Sequence, residues 1–284
     1  MDKKTCIVTG ATSGIGLGIA KGLAKEGVIL ILIARNATKG EKLMNQLQST
    51  YPSSKIHFYP TDLSSQKQIR ATSEKIRRNH QIIDVLINNA GVWTSEAKLT
   101  EDGIEEQFAV NHLAYFLLTH LLYPQLAKSQ DARIICMGSN SHQYGKINFI
   151  NPNLTDEYHG LKAYGQSKLA NLLFVYELER RKPDNIISTF CVSPGLVKTD
   201  IGVKHTNPFH SLMWKLRRLT GKSPEKAAET PIFLVLADKN LAPSGLYWEN
   251  LKPKPSSKSS HSKEQASKLW ELSKQLCQID KFFG

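Results

Sequence analysis

Cysteine is scarce: four residues in 284, with no C-x-x-C pair and no metal-ligand spacing. No disulfide framework is therefore expected, and no metal. Cys6, Cys136 and Cys191 fall inside apolar strand-like runs and Cys277 lies near the C-terminus, so all four read as inert buried thiols. No apolar run approaches the ~18 residues of a membrane span. Met1-Asp2-Lys3-Lys4 leads straight into an apolar strand, without the apolar core and small-residue cleavage site of a secretory signal. A cytoplasmic location is the expectation. Acidic side chains are in deficit, 25 against 37 Lys and Arg, which leaves a net charge of +12. Such an excess raises nucleic acid as a partner. The basic residues are scattered along helix faces, however, and no nucleic-acid motif accompanies them. Attraction for an anionic cofactor, or plain solubility, accounts for the charge, so no nucleic-acid partner is expected.

What is present is an alternation of short β-branched runs with longer helical periods. Thr5–Thr9, Val28–Ala34, Lys55–Tyr59, Asp84–Ile87, Arg133–Met137, Ile186–Val192 and Gly245–Trp248 read as strands. Most are continuously apolar, the signature of strands buried on both faces of a parallel sheet. Helical spacing covers Gly14–Glu26, Lys39–Ser49, Ser64–Asn79, Glu101–Leu126, Ala163–Arg181 and Pro224–Ala237. The pattern predicts an α/β doubly wound parallel sheet in a single domain. Two long connections interrupt it, Asn140–Leu161 and Gly195–Ser223, both after strand C-termini, where open α/β sheets bind ligands. Lys252–Lys263 is rich in Pro, Ser and Lys and reads as a mobile loop. Helical spacing resumes over Glu264–Leu276 and predicts a helix packed back on the domain.

Two motifs carry chemistry. The first strand runs into Gly10-Ala11-Thr12-Ser13-Gly14-Ile15-Gly16, followed by a helix. Glycines there let the backbone turn tightly and approach a pyrophosphate, while the helix aims its first N–H groups at the anion. Downstream, Tyr164-x-x-x-Lys168 puts a phenol and an ammonium one helical turn apart on one face. A free tyrosine titrates near about 10, so a phenol that exchanges protons near neutral pH needs a neighbouring cation. Tyr158-x-x-x-Lys162 repeats the spacing six residues earlier. It contains Gly160, a poor helix-interior residue, and sits in the irregular insertion, whereas Tyr164 opens a stretch with Leu169, Leu172, Leu173 and Tyr176 on one face.

TGATSGIG at Thr9–Gly16, NNAG at Asn88–Gly91, Asn111, Ser139, Tyr164-x-x-x-Lys168 and SPGLVKT at Ser193–Thr199 occur in this order. With them the chain resembles the short-chain dehydrogenase/reductase superfamily, of Rossmann-type fold, from Thr5 to about Trp248. Tyr164–Phe174, Ser141-His142 in the insertion, and the Gly245–Trp248 strand before a Trp270 helix resemble its retinol dehydrogenase-like branch. The resemblance implies a dinucleotide-binding domain over 1–250, including a substrate loop at 195–223. Residues 251–284 would be a mobile basic loop and a helix on the same domain.

The resemblance also implies residue roles. Tyr164 would be the proton donor in reduction and the base in oxidation. Lys168 would supply the cation and hold the ribose hydroxyls. Ser139 would hydrogen-bond the substrate oxygen, with Ser141 a rival two residues on. Asn111 would position a water relaying protons to Lys168. Asn89, Ala90 and Gly91 would wall the cofactor, Asp62 and Leu63 would contact adenine, and Val197 and Thr199 would hold the nicotinamide end. NAD-preferring members place a carboxylate at the end of the second strand. This chain has Ala34-Arg35-Asn36, and Arg35 suits a 2′-phosphate. The expectation is an NADP(H)-dependent enzyme interconverting a carbonyl and an alcohol. Trp93, Leu154 and the 208–219 segment point to a lipophilic substrate.

Three readings of Pro208–Leu219 stay open: a substrate lid, a basic amphipathic contact with a membrane surface, and plain packing. Pairing of family members through the fourth and fifth helices makes a homodimer one expectation. The resemblance stops short of the hydrophobic N-terminal anchor of many membrane-bound retinol dehydrogenases, which argues against a retinoid. Other functions of the same fold are a dinucleotide-binding regulatory or scaffold protein without turnover, and an epimerase or dehydratase.

Overall fold

A computed structural model describes residues 3–156, 158–183, 186–198 and 221–283. Its centre is one eight-stranded sheet in the order β3-β2-β1-β4-β5-β6-β7-β8. The strands are β1 (Thr5–Thr9), β2 (Ile29–Ala34), β3 (Ile56–Pro60), β4 (Val85–Asn88), β5 (Arg133–Met137), β6 (Ser188–Val192), β7 (Leu246–Glu249) and β8 (Lys252–Pro253). β1 to β7 pair in parallel, and β8 closes the edge antiparallel to β7. All seven apolar runs form strands, Thr5–Thr9 and Arg133–Met137 with the expected ends and the others with ends shifted by one or two residues. Alternate side chains supply two cores. Ile7, Ile31, Leu86, Ile134 and Cys191 point into one. Val8, Leu32, Ile87, Ile135 and Val192 point into the other. With both faces covered, a continuous apolar run is what each central strand requires.

Helices α1 (Gly14–Lys25) and α2 (Ala37–Thr50) lie on the second core, through Leu23 and Leu47. The other face takes α3 (Gln66–Asn79), then the short α4 (Glu106–Phe108), a π turn (Ala109–Leu113) and α5 (Ala114–Leu126). Next come α6 (Gly160–Arg181) on the first core and α7 (Pro224–Leu236) beside α1 on the second. The last helix, α8 (Lys263–Leu276), packs on α6. Trp270 and Phe282, 4.4 Å apart between ring centroids, close over Phe116 of α5 and Phe174 of α6. Burying each such aromatic contributes about 1.5–3 kcal/mol. No described helix is long and apolar enough to cross a membrane.

Three local expectations change. The helix expected from Glu101 starts at Glu106, because Gly103 turns the chain at φ +71° and the Glu105 carboxylate caps the N–H groups of Gln107 and Phe108. The helix expected from Ala163 starts at Gly160, where a side chain would lie 2.3 Å from the Thr94 carbonyl oxygen. Gly160 opens that helix rather than breaking one. Lys252–Lys263, expected as a mobile loop, contains β8 and a 3-10 turn at Lys258–His261 with Ser260 buried. Its many serines bond one another and the fold: Tyr176 Oη and Ser260 Oγ each lie 2.8 Å from Ser256 Oγ.

Candidate active site

A cleft of about 510 Å³ runs along the C-terminal ends of β1, β2 and β4. Ligand clefts commonly have this size. Gly10, Thr12, Ser13, Gly14, Ile15, Gly16, Arg35, Asp62, Leu63, Asn89, Ala90 and Gly91 all line it. Gly10 takes φ +66°, a region that side chains disfavour, and a Cβ on Gly16 would meet the Gly10 oxygen at 2.3 Å. Ser13 precedes α1 without capping it through its side chain, so the first N–H groups of the helix are left for an anion at the turn. The opposite wall is fastened to β1. Thr9 Oγ1 accepts the N–H groups of Asn89 at 2.8 Å and Ala90 at 2.9 Å, while Asn89 Nδ2 donates to the Thr9 carbonyl.

Two cations sit beyond the end of β2. Arg35 is two-thirds exposed and loosely paired with Asp62 at 4.0 Å, so its guanidinium can turn to another anion. Asn36 Oδ1 accepts the Lys39 N–H at 2.8 Å, which starts α2 and places Lys39 on the same wall. In the sequence Lys39 stands out only as the start of a helical stretch, not as a site residue. A basic residue in the first turn of the helix after β2 was the signal that could have found it. These glycines, the uncapped helix start and the paired cations fit a phosphorylated dinucleotide.

Beside the Gly91 wall, the fold gathers Asn111, Lys168 and Tyr164. A Cβ on Gly91 would lie 3.3 Å from Asn111 Oδ1 and 3.9 Å from Lys168 Nζ. Lys168 Nζ is 5.5 Å from the centroid of the half-buried Tyr164 ring. Lys168 is buried and donates to the Met137 carbonyl at 3.0 Å. Burial brings its pKa down to about 8, against an opposing pull from the Cys191 and Cys136 thiols beneath it. The π turn directs Asn111 back at the strand-end loop. Its Oδ1 accepts the Val92 N–H at 2.7 Å, and its Nδ2 donates to the Val92 carbonyl and to Ser167 Oγ.

Ser139 follows β5 by two residues, just past the Met137 carbonyl that takes Lys168. Its hydroxyl accepts the Ser141 N–H and donates to Ser141 Oγ, each at 3.2 Å. The rival serines are thus hydrogen-bonded to each other. Asn171 Nδ2 shares the Met137 carbonyl with Lys168 at 3.2 Å, and Asn171 Oδ1 lies 3.4 Å from Nδ1 of the buried His112. Val197 pairs with Lys222 in a parallel bridge. Thr199 and the 208–219 segment lie outside the described residues, as does much of the 195–223 loop.

The other Tyr-x-x-x-Lys pair serves the insertion. Tyr158 Oη donates to Glu105 Oε1 at 3.0 Å and accepts from Gln107 Nε2 at 2.8 Å, which ties the loop to the start of α4. Burial and the Glu105 carboxylate both push its phenol up. Lys162 is exposed.

Known proteins resemble the chain along nearly all its length. The short chain dehydrogenase family profile matches residues 4–208. Retinol dehydrogenase 12 of Mus musculus is 35% identical over 276 residues, covering 97% of this chain and 87% of the relative. Retinol dehydrogenase 13 of Homo sapiens is 38% identical, covering 98% and 85%. A crystal structure of an uncharacterised protein from Mycobacterium Paratuberculosis superposes with a TM-score of 0.78 at 29% identity, covering 98% of this chain and 94% of its own.

Proposed function

The chain belongs to the short chain dehydrogenases, and from that premise we propose that it interconverts a carbonyl and an alcohol with NADP(H), on a lipophilic small molecule. The observation that carries the reading is the buried Lys168 ammonium 5.5 Å from the Tyr164 ring and 3.9 Å from where a Cβ on the cleft-lining Gly91 would sit. Arg35 and Lys39, with no carboxylate at the end of β2, favour a 2′-phosphate. Likeness to retinol dehydrogenases and the buried indole of Trp93 on the cleft wall support a lipophilic substrate.

Tyr164 holds the transferable proton on its phenolic oxygen, gives it to the substrate oxygen in reduction and takes it back in oxidation. Lys168 stabilises the phenolate while it carries its own proton. Ser139 donates its hydroxyl proton to the substrate oxygen in place of Ser141, fixing where the carbonyl sits. Asn111 braces Val92 against Ser167, and Oδ1 keeps a lone pair for a water on the path to Lys168. A bound nicotinamide supplies or accepts the hydride. Acid–base help of this kind contributes about 10²–10⁴-fold, and alignment in the cleft adds to it.

The test follows nicotinamide absorbance with NADPH and with NADH across a panel of aldehydes and ketones. Oxidation of NADPH by a lipophilic carbonyl, with a higher kcat/KM than for NADH, is expected. Binding of NADPH without oxidation by any carbonyl would leave a dinucleotide-binding scaffold instead.

A further inference from the structure

His142 is a fully buried polar side chain with no part in the scheme above. It sits in the 3-10 turn Asn140–Gln143. Its Nδ1 lies 2.6 Å from the Ser139 carbonyl oxygen, which can only accept, so Nδ1 carries the proton. Nε2 is then a bare acceptor, and it takes the backbone N–H of Ser257 at 3.1 Å. One neutral ring therefore joins Ser139 to the C-terminal segment. Tyr247 of β7 packs edge-on against it at 5.1 Å and donates to Asn140 Oδ1 at 3.2 Å, holding the turn from its other side.

We propose that His142 is a positioning residue: its neutral imidazole fastens the backbone of Ser139 to Ser257 and so aims the Ser139 hydroxyl at the substrate oxygen. The inference rests on the reading of Ser139 given above. A proton on Nε2 would set two donors against each other and break the link to Ser257. Burial lowers the imidazole pKa, the Ser139 carbonyl pulls it back up, and Lys254 lowers it further. The surrounding titratable groups are already engaged. Lys254 pairs with Glu249, which also accepts from Asn140 Nδ2. Tyr247 donates to Asn140, while Tyr176 and His261 both bond Ser256 and stack on each other. The link is intact when His142 is neutral and is lost as pH falls.

Ser257 allows a narrow test. Its φ of −64° is the value a proline ring imposes, so Ser257→Pro removes the N–H with little change of backbone. Ser257→Ala keeps the N–H and should match the parent. Ser257→Pro should lose about 10- to 100-fold in kcat with NADPH affinity unchanged. Its deficit relative to the parent should shrink on the acid side, where protonation of Nε2 has already broken the parent's link. His142→Gln, which can donate to Ser139 and accept from Ser257, should keep most of kcat and flatten the acid limb, whereas His142→Leu should not. Equal kcat and equal pH profiles for the Pro and Ala variants overturn the proposal. So does a Gln variant no better than Leu, and this pair decides alone if Ser257→Pro fails to bind NADPH. A parent that turns over no carbonyl overturns the functional reading instead. NMR titration of the His142 ring then reads the link: an upward shift in Ser257→Pro supports it, and an unchanged titration refutes it.

Discussion

The phenol of Tyr158 is fastened between Glu105 and Gln107, and its partner Lys162 points into solvent. The ring of Tyr164 is half-buried, and its partner Lys168 is buried beside it on a carbonyl. Both pairs have the same spacing, six residues apart. The difference lies in what the rest of the chain supplies. Around Tyr158 a carboxylate holds the phenolic proton in place. Around Tyr164, in the mechanism proposed above, a desolvated ammonium favours its release. A motif defined by spacing thus becomes a chemical site only through the charge placed against it.

The largest expected effect that sharpens this contrast is Lys168→Met, which removes the cation and keeps the packing volume. It should reduce kcat for NADPH-dependent reduction by about 10²–10⁴-fold, whereas Lys162→Met should leave it within about twofold, as surface changes usually do. Next is the double change Arg35→Ala with Lys39→Ala. Losing charge-assisted bonds worth about 1.5–3 kcal/mol should raise KM for NADPH by roughly 10- to 100-fold and leave NADH nearly unaffected. Equal effects on both cofactors would remove the case for a 2′-phosphate.

A pH profile comes third. Burial holds Lys168 down to about 8, so its charge is present below that pH and lost as pH rises through it. kcat/KM for reduction should fall on the alkaline side by up to about tenfold per pH unit, since each proton lost follows the titration of a single group. A profile level to well above 8 would contradict the assignment. The smallest effect on activity is expected from Tyr158→Phe. It removes one hydrogen bond each from the buried Glu105 and Gln107, whose other partners remain, and should cost about 1–3 kcal/mol in urea unfolding.

Much of the fold was legible in the chain because parallel strands covered on both faces must be apolar throughout. ILILIA at Ile29–Ala34 and TCIVT at Thr5–Thr9 have few other uses. The glycine turn was equally plain, since each of its glycines answers a backbone demand. Other features depend on partners far away in sequence. The π turn that aims Asn111 at Val92 leaves no trace in AVNHL. Lys252–Lys263 reads as polar linker because Ser256 and Ser257 are spent on Tyr176 and His142, both far away in sequence. In the sequence His142 is one residue of a subfamily pattern. Its two bonds, one local and one reaching Ser257, became visible only in three dimensions.

The central claim is that surroundings, not spacing, select Tyr164. NADPH oxidation by one active carbonyl, measured side by side for Tyr164→Phe and Tyr158→Phe, tests it most directly. The account predicts a loss of about 10²–10⁴-fold in kcat for Tyr164→Phe with NADPH still bound, and near-parental turnover for Tyr158→Phe. Near-parental turnover by Tyr164→Phe, or an equal collapse of both variants with folded structure retained, would contradict it.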